Sequence, residues 1–257
     1  MKKNAKQTQN KTLNRRRTWQ WLLFVFLFTS HYSLFTIHCL YSFPIITEDD
    51  FLVEKGKWEL NQYFYGTKYN DGSHWGESWT DFRYGIFSEK FNLGLVLPFD
   101  YWKEENEKES GLSDIRLFGK TKVNKNFSAL LGLKFASGAE EKSLGSGDNE
   151  PFASVIYKKS VSSLDLFLSA GVQFSENIFF NYNFAIDWNL NNKTAIVCEF
   201  IGETEKTGYT QLSIAPGITY CLIEDRLYAA TSFQFPFYAK DTDKFSVMPY
   251  IGFVYDY

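Results

Sequence analysis

From about residue 57 onward, apolar and polar residues alternate at period two in stretches of about ten, separated by polar segments. Phe91, Leu93, Leu95, Leu97, Phe99 and Tyr101 are interleaved with Asn92, Gly94 and Asp100. Leu164, Leu166, Leu168, Ala170 and Val172 alternate with Asp165, Ser169 and Gln173. Phe180, Tyr182, Phe184, Ile186 and Trp188 alternate with Asn181, Asn183 and Asp187. Successive side chains of a strand point to opposite faces, so this period marks strands with one apolar face. The pattern predicts twelve strands, near 57–66, 77–87, 90–101, 112–123, 126–136, 150–160, 163–173, 179–189, 193–202, 208–221, 226–237 and 246–257. About ten residues is the length that a tilted strand needs to cross a bilayer core.

The connections alternate in length. Ser88-Glu89, Asn124-Lys125, Val161-Ser162, 190–192 and 222–225 are short. Those at 67–76, 102–111, 137–149, 174–178, 203–207 and 238–245 are mostly longer. Short turns at one end and longer loops at the other are the habit of outer-membrane barrels, and an even strand count puts both termini on the short-turn side. In the last stretch Val247, Ile251, Phe253, Tyr255 and Tyr257 share one face. We read Ile251, Phe253, Tyr255 and Tyr257 as the closing strand's barrel-assembly signal, with aromatics seated at the membrane interface. Pro98, Pro236 and Pro249 fall near the long-loop ends, whereas Pro216 falls mid-strand and predicts a bulge or a shift of register.

The first 43 residues differ in kind. They hold seven basic residues (Lys2, Lys3, Lys6, Lys11, Arg15, Arg16 and Arg17), no acid, and an apolar aromatic-rich stretch from Trp19 to Phe43. A charged segment followed by an apolar one reads as an export signal, with cleavage expected near Ser42; a retained anchor is the alternative. The expected organisation is a signal peptide over 1–43, a periplasmic lead-in over 44–55 carrying Glu48, Asp49 and Asp50, and one barrel over 56–257. Beyond residue 43 there are 30 acids against 20 bases, so the body is acidic and lacks a nucleic-acid footprint. Cys198 and Cys221 fall towards opposite ends of one predicted hairpin, which argues against a disulfide and for two small apolar surface residues.

Gly111-Leu112-Ser113-Asp114-Ile115-Arg116-Leu117 opens a strand, Gly132-Leu133-Lys134-Phe135 precedes Ser137-Gly138, and Leu144-Gly145-Ser146-Gly147 and Pro151-Phe152-Ala153-Ser154-Val155 follow. In order and spacing this resembles the outer-membrane family called "MetA-pathway of phenol degradation, putative", over roughly 56–257. Ser113 stands where that family has a glycine, and Phe135-Ala136-Ser137-Gly138-Ala139 lacks its proline and aspartate. The resemblance implies a barrel and a link to aromatic compounds; its motifs are strand starts and turns, so it implies no enzyme.

Candidate chemistry is sparse. Beyond residue 43 the single histidine is His74, expected in the first long loop beside Ser73 and Ser78. A lipolytic Ser–His pair is conceivable there, but a solvated loop histidine is the favoured reading. One histidine and two separated cysteines are too few to ligate zinc. A charge at the bilayer midplane costs about 2–4 kcal/mol for Arg or Lys, so in-strand charges must face the lumen. The candidates are Asp81, Arg83, Asp114, Arg116, Lys120, Lys122, Lys134, Asp165, Asp187 and Glu199, as a pore lining or as a salt-bridged plug. Glu104, Glu105, Glu107, Glu109, Glu140, Glu141, Asp148, Glu150, Asp241 and Asp243 are expected as solvated loop acids, with divalent-cation binding the alternative.

The sequence thus leads to an all-β, antiparallel, up-and-down transmembrane β-barrel in a Gram-negative outer membrane. The expected function is a cofactor-free, non-enzymatic channel or facilitator for a small solute, with an aromatic or other hydrophobic compound as the candidate. A plugged structural or adhesive barrel is second and a lipid-modifying barrel enzyme third. The expected partners are outer-membrane lipid and lipopolysaccharide, the barrel-assembly machinery and the solute.

Overall fold

The computed structural model describes residues 47, 49, 51–68, 72–87, 90–104, 107–224, 226–240 and 247–257. The export-signal expectation for 1–43 lies outside the described residues, as do Glu48, Asp50, Glu105, Asp241 and Asp243.

Thirteen strand segments follow in chain order: β1 (Trp58–Lys68), β2 (His74–Gly85), β3 (Phe91–Glu104), β4 (Glu107–Leu112), β5 (Arg116–Lys122), β6 (Phe127–Lys134), β7 (Glu150–Val161), β8 (Leu164–Phe174), β9 (Ile178–Asn191), β10 (Thr194–Glu205), β11 (Thr210–Ile223), β12 (Leu227–Lys240) and β13 (Met248–Asp256). Apart from β4 and β5, each pairs antiparallel with its chain neighbour, and β13 pairs with β1 from Glu59↔Asp256 to Tyr65↔Tyr250. β4 and β5 both pair with β3 and continue one another, so the wall is a closed antiparallel barrel of twelve strands. Closure leaves no unpaired edge, which is what a sheet in lipid requires.

Along β3 the inward Asn92, Gly94, Val96 and Pro98 are buried, while Leu93, Leu97, Phe99 and Tyr101 are exposed on the outside. The outer surface carries Phe82, Leu131, Leu168, Phe200, Phe233 and Ile251, all exposed. Buried polar groups, including Asn61, Asn92, Lys120, Ser169, Asp187, Glu199, Ser213 and Ser232, occupy the inner face. An apolar outside and a polar inside invert a soluble core and fit a lipid surround. Near the short-turn end Trp58 lies against Tyr255 and Tyr257, with ring centroids 5.7 and 5.2 Å apart.

Five expectations are corrected in detail. The fourth predicted strand is broken at 113–115, and the segment expected as a loop at 102–111 is paired hairpin from Phe99↔Leu112 to Glu104↔Glu107. His74 is the first residue of β2 and not a loop residue. The β11–β12 register shifts at Leu212/Ser213, where Ser213 faces Pro236; at Pro216 the β12 pairing is merely interrupted, with the same register before and after it. Cys221 is buried with Tyr228 and Val254 rather than at the surface; Cys198 is a free thiol, so the two do not pair.

Candidate functional site

The inward faces of β1, β2, β3 and β5 bring one charged group together. Arg83 bonds Asp81 at 2.8 Å and lies 3.5 Å from Glu59 and 3.7 Å from Asp49. Asn61 donates to Glu59 at 2.6 Å. Lys120, with no exposed side-chain surface, holds Asp49 at 2.7 Å. Of the candidates, Asp81, Arg83 and Lys120 therefore meet here. Arg116 lies two places along β5 from Phe118, on the same face, and Lys122 is half-buried near the short-turn end. Lys134 joins Asp114 at 3.7 Å and Glu150 at 2.6 Å near the long-loop end; Glu150, expected as a loop acid, is buried there. Asp165 pairs separately with Lys158 at 3.5 Å, and Asp187 and Glu199 are fully buried on β9 and β10.

Asp49 was not among the candidates, because nothing in strand periodicity marks it. It belongs to a segment that runs inside the wall. Lys55 bridges Gly85, and Asn92, with its amide oriented by its hydrogen bonds, accepts from the Val53 N–H at 2.6 Å and donates to the Val53 carbonyl at 3.0 Å. Further in, the Phe51 N–H donates to Asp49, and the Thr47 N–H donates to Glu199 at 2.5 Å. The described part of the lead-in thus enters from the short-turn end and crosses the lumen from β2 to β10. Burial opposes ionisation of the Asp49 carboxyl, but Lys120 and Arg83 outweigh it and hold its pKa at about 2. Glu59 and Asn61 could have been found from the sequence, since they share the inward parity of β1.

Asp114 sits in the break between β4 and β5 and accepts four hydrogen bonds from the long loop after β6. The donors are the N–H groups of Ser137 (3.1 Å), Gly138 (3.0 Å) and Ser146 (2.7 Å), and the Ser146 hydroxyl (2.8 Å). Burial raises its pKa, but these donors and Lys134 bring it below the ordinary value. The motif residues Asp114, Ser137-Gly138 and Gly145-Ser146 therefore form one latch.

Above the lead-in lies a cavity of about 160 Å³, lined by Thr47, Asp49, Tyr63, Tyr65, Trp79, Asp81, Arg83, Val96, Arg116, Phe118, Leu130, Phe152 and Tyr250. Tyr65 and Tyr250 stack at 4.7 Å, and Trp79 and Phe152 pack on the buried Val96, Phe118 and Leu130. The Tyr65 hydroxyl and the Trp79 indole N–H both donate to Glu77. The Arg116 guanidinium lies over the Trp79 ring at 4.5 Å.

His74 is exposed, and four residues of strand put Ser78 about 13 Å from it, beyond hydrogen-bond reach. Among the described residues no three metal-ligating side chains converge.

No family model matches the chain, and no curated protein matches it. Solved structures do. The COG4313 outer membrane channel from Pseudomonas putida F1 is similar at TM-score 0.71 and 9% identity, covering 82% of this chain and 99% of that one. The KdgM porin in complex with disordered oligogalacturonate is similar at TM-score 0.52 and 12% identity, covering 77% and 99%. The β-domain of the Bordetella autotransporter BrkA gives TM-score 0.54 at 8% identity, covering 79% and 100%. At these identities the likeness is one of fold: the chain is a barrel of the Gram-negative outer-membrane kind.

Proposed function

We propose that the protein is a passive outer-membrane channel that lets a small solute through its lumen and performs no chemistry on it. The observation that carries this reading is the cavity inside the closed barrel, with charged and aromatic walls and an N-terminal segment narrowing it from the short-turn end. The likeness to a channel and a porin agrees with it. The rings of Tyr65, Trp79, Phe118, Phe152 and Tyr250 support an aromatic or otherwise hydrophobic solute, since such walls take apolar faces while the few polar groups orient the ligand. Of the ten charged candidates, Asp81, Arg83 and Arg116 line the cavity and take the role of filter.

A plugged structural barrel is the second reading, favoured by Lys120, Asp187 and Glu199, which have no exposed surface. Planar-bilayer conductance separates the two. The full chain is expected to give small, discrete current steps. A variant lacking residues 47–53 is expected to give larger ones, because the segment that crosses the lumen is gone. A folded, heat-modifiable barrel that passes no current in either form would leave the plugged barrel as the correct reading.

A further inference from the structure

We propose that Arg116 and Trp79 form a binding subsite for the carboxylate of a single-ring aromatic monoacid. The proposal rests on the channel reading and names the class of solute held in its lumen. Arg83, Lys120, Lys134 and Lys158, on the same inner face, each lie within 4 Å of a carboxylate. Arg116 makes no such pair among the described residues, and its buried Nε has no hydrogen-bond partner. A buried guanidinium N–H left unmatched is costly, so the group is set up for an acceptor that arrives from outside the chain. Its Cζ lies 4.5 Å from the Trp79 ring centroid, a cation–π contact that holds the guanidinium in place, and a guanidinium fork matches a carboxylate bidentately.

The space beside it sets the ligand's size. The cavity measures about 160 Å³, and an apolar cavity of roughly 150 Å³ is known to hold benzene. Phe118, Phe152 and the stacked Tyr65–Tyr250 pair offer ring faces and edges. The hydroxyl of Tyr65 and the N–H of Trp79 are already spent on Glu77, which leaves their rings to act as apolar surface. The surrounding acids limit the ligand's charge. Glu77 and Asp100 lie on the same inner wall close enough to Arg116 to feel its charge, with Asp81 further along, so the site tolerates one carboxylate placed directly on the guanidinium and opposes a second negative charge.

The test uses the full-length barrel in detergent and in planar bilayers at pH 7, with sodium benzoate, sodium acetate and benzyl alcohol as probes. Isothermal titration is expected to show saturable benzoate binding, with acetate and benzyl alcohol each at least tenfold weaker, and benzoate is expected to interrupt the channel current. Arg116→Gln should weaken benzoate binding at least tenfold while the barrel keeps its heat-modifiable migration. If Arg116→Gln does not fold, Arg116→Lys carries the test: it keeps the charge, loses the fork, and is expected to weaken binding several-fold. Equal affinity for acetate and benzoate, or unchanged benzoate affinity in the folded variant, overturns the subsite. Conductance without any benzoate effect overturns the subsite alone, whereas benzoate binding by a barrel that carries no current keeps the subsite and overturns the channel.

Discussion

Two cross-strand pairs give the lumen its aromatic wall. Gly94 faces Phe118, and Gly132 faces Phe152, directly across the ladder. A Cβ built on Gly94 would stand 2.1 Å from the Phe118 ring, and one on Gly132 would stand 2.3 Å from the Phe152 ring and 2.7 Å from the Leu117 carbonyl. Glycine is needed at both places because the partner's ring lies flat across the strand where a side chain would otherwise start. Gly132→Val is expected to force Phe152 off the wall and to cost about 1–3 kcal/mol, the usual penalty of overpacking. Equilibrium urea unfolding in detergent measures it, and a variant with wild-type stability would show that Phe152 repacks freely. At this scale the sequence is readable only in part: a glycine at an inward position is visible, but the ring that covers it is chosen by the register between strands.

At the scale of elements, the break between β4 and β5 has a clear physical purpose. A strand running unbroken through 113–115 would have presented Asp114 as one more lining group. The break instead lets one carboxylate collect three backbone N–H groups and a hydroxyl from the loop after β6. Leu144, buried at 3 % exposure, packs against the same corner. Asp114→Ala is expected to release residues 135–149, costing about 1.5–3 kcal/mol for hydrogen bonds to a charged acceptor, while the barrel still closes. Limited proteolysis reads the outcome: new cleavage confined to that loop is expected, and an unchanged digest would show that its other contacts, such as Leu144 and the Trp102 N–H on the Lys142 carbonyl, hold it without Asp114. The motif residues were legible as turns and strand starts from their glycines and serines. That they converge on Asp114 was not, because Ser137, Gly138 and Ser146 lie more than twenty residues beyond it in the chain and the loop's path depends on where β6 and β7 end.

At the scale of the molecule, the barrel and its inner segment are held together by charge. Asp49 is clamped between Lys120 and Arg83, and its pKa of about 2 lies below the ordinary 3.8. A carboxyl whose folded pKa is depressed contributes stability above its unfolded pKa and loses it as pH falls through the folded value. The clamp is therefore expected to stay intact from pH 8 down to about 4 and to fail only towards pH 2. Titration of Asp49 should therefore not open the segment of the full chain between pH 8 and 4, whereas Asp49→Asn leaves Lys120 buried without its counter-charge and should open it at every pH. A full-chain conductance that rises between pH 6 and 4 would show that another group holds the segment.

The sequence alone determined that the wall has twelve strands, where most of them lie, their inward and outward faces and the side on which the turns are short. A period of two is a local property, and burying one face of each of twelve amphipathic strands while satisfying every backbone group admits few solutions besides a closed barrel. The tertiary structure alone decided which charges meet, that Arg116 lies over Trp79, that the latch residues join, and that the segment around Asp49 lies inside the wall. Those contacts join residues far apart in the chain, such as Thr47 with Glu199 and Asp49 with Lys120, and only barrel closure sets the distance between them.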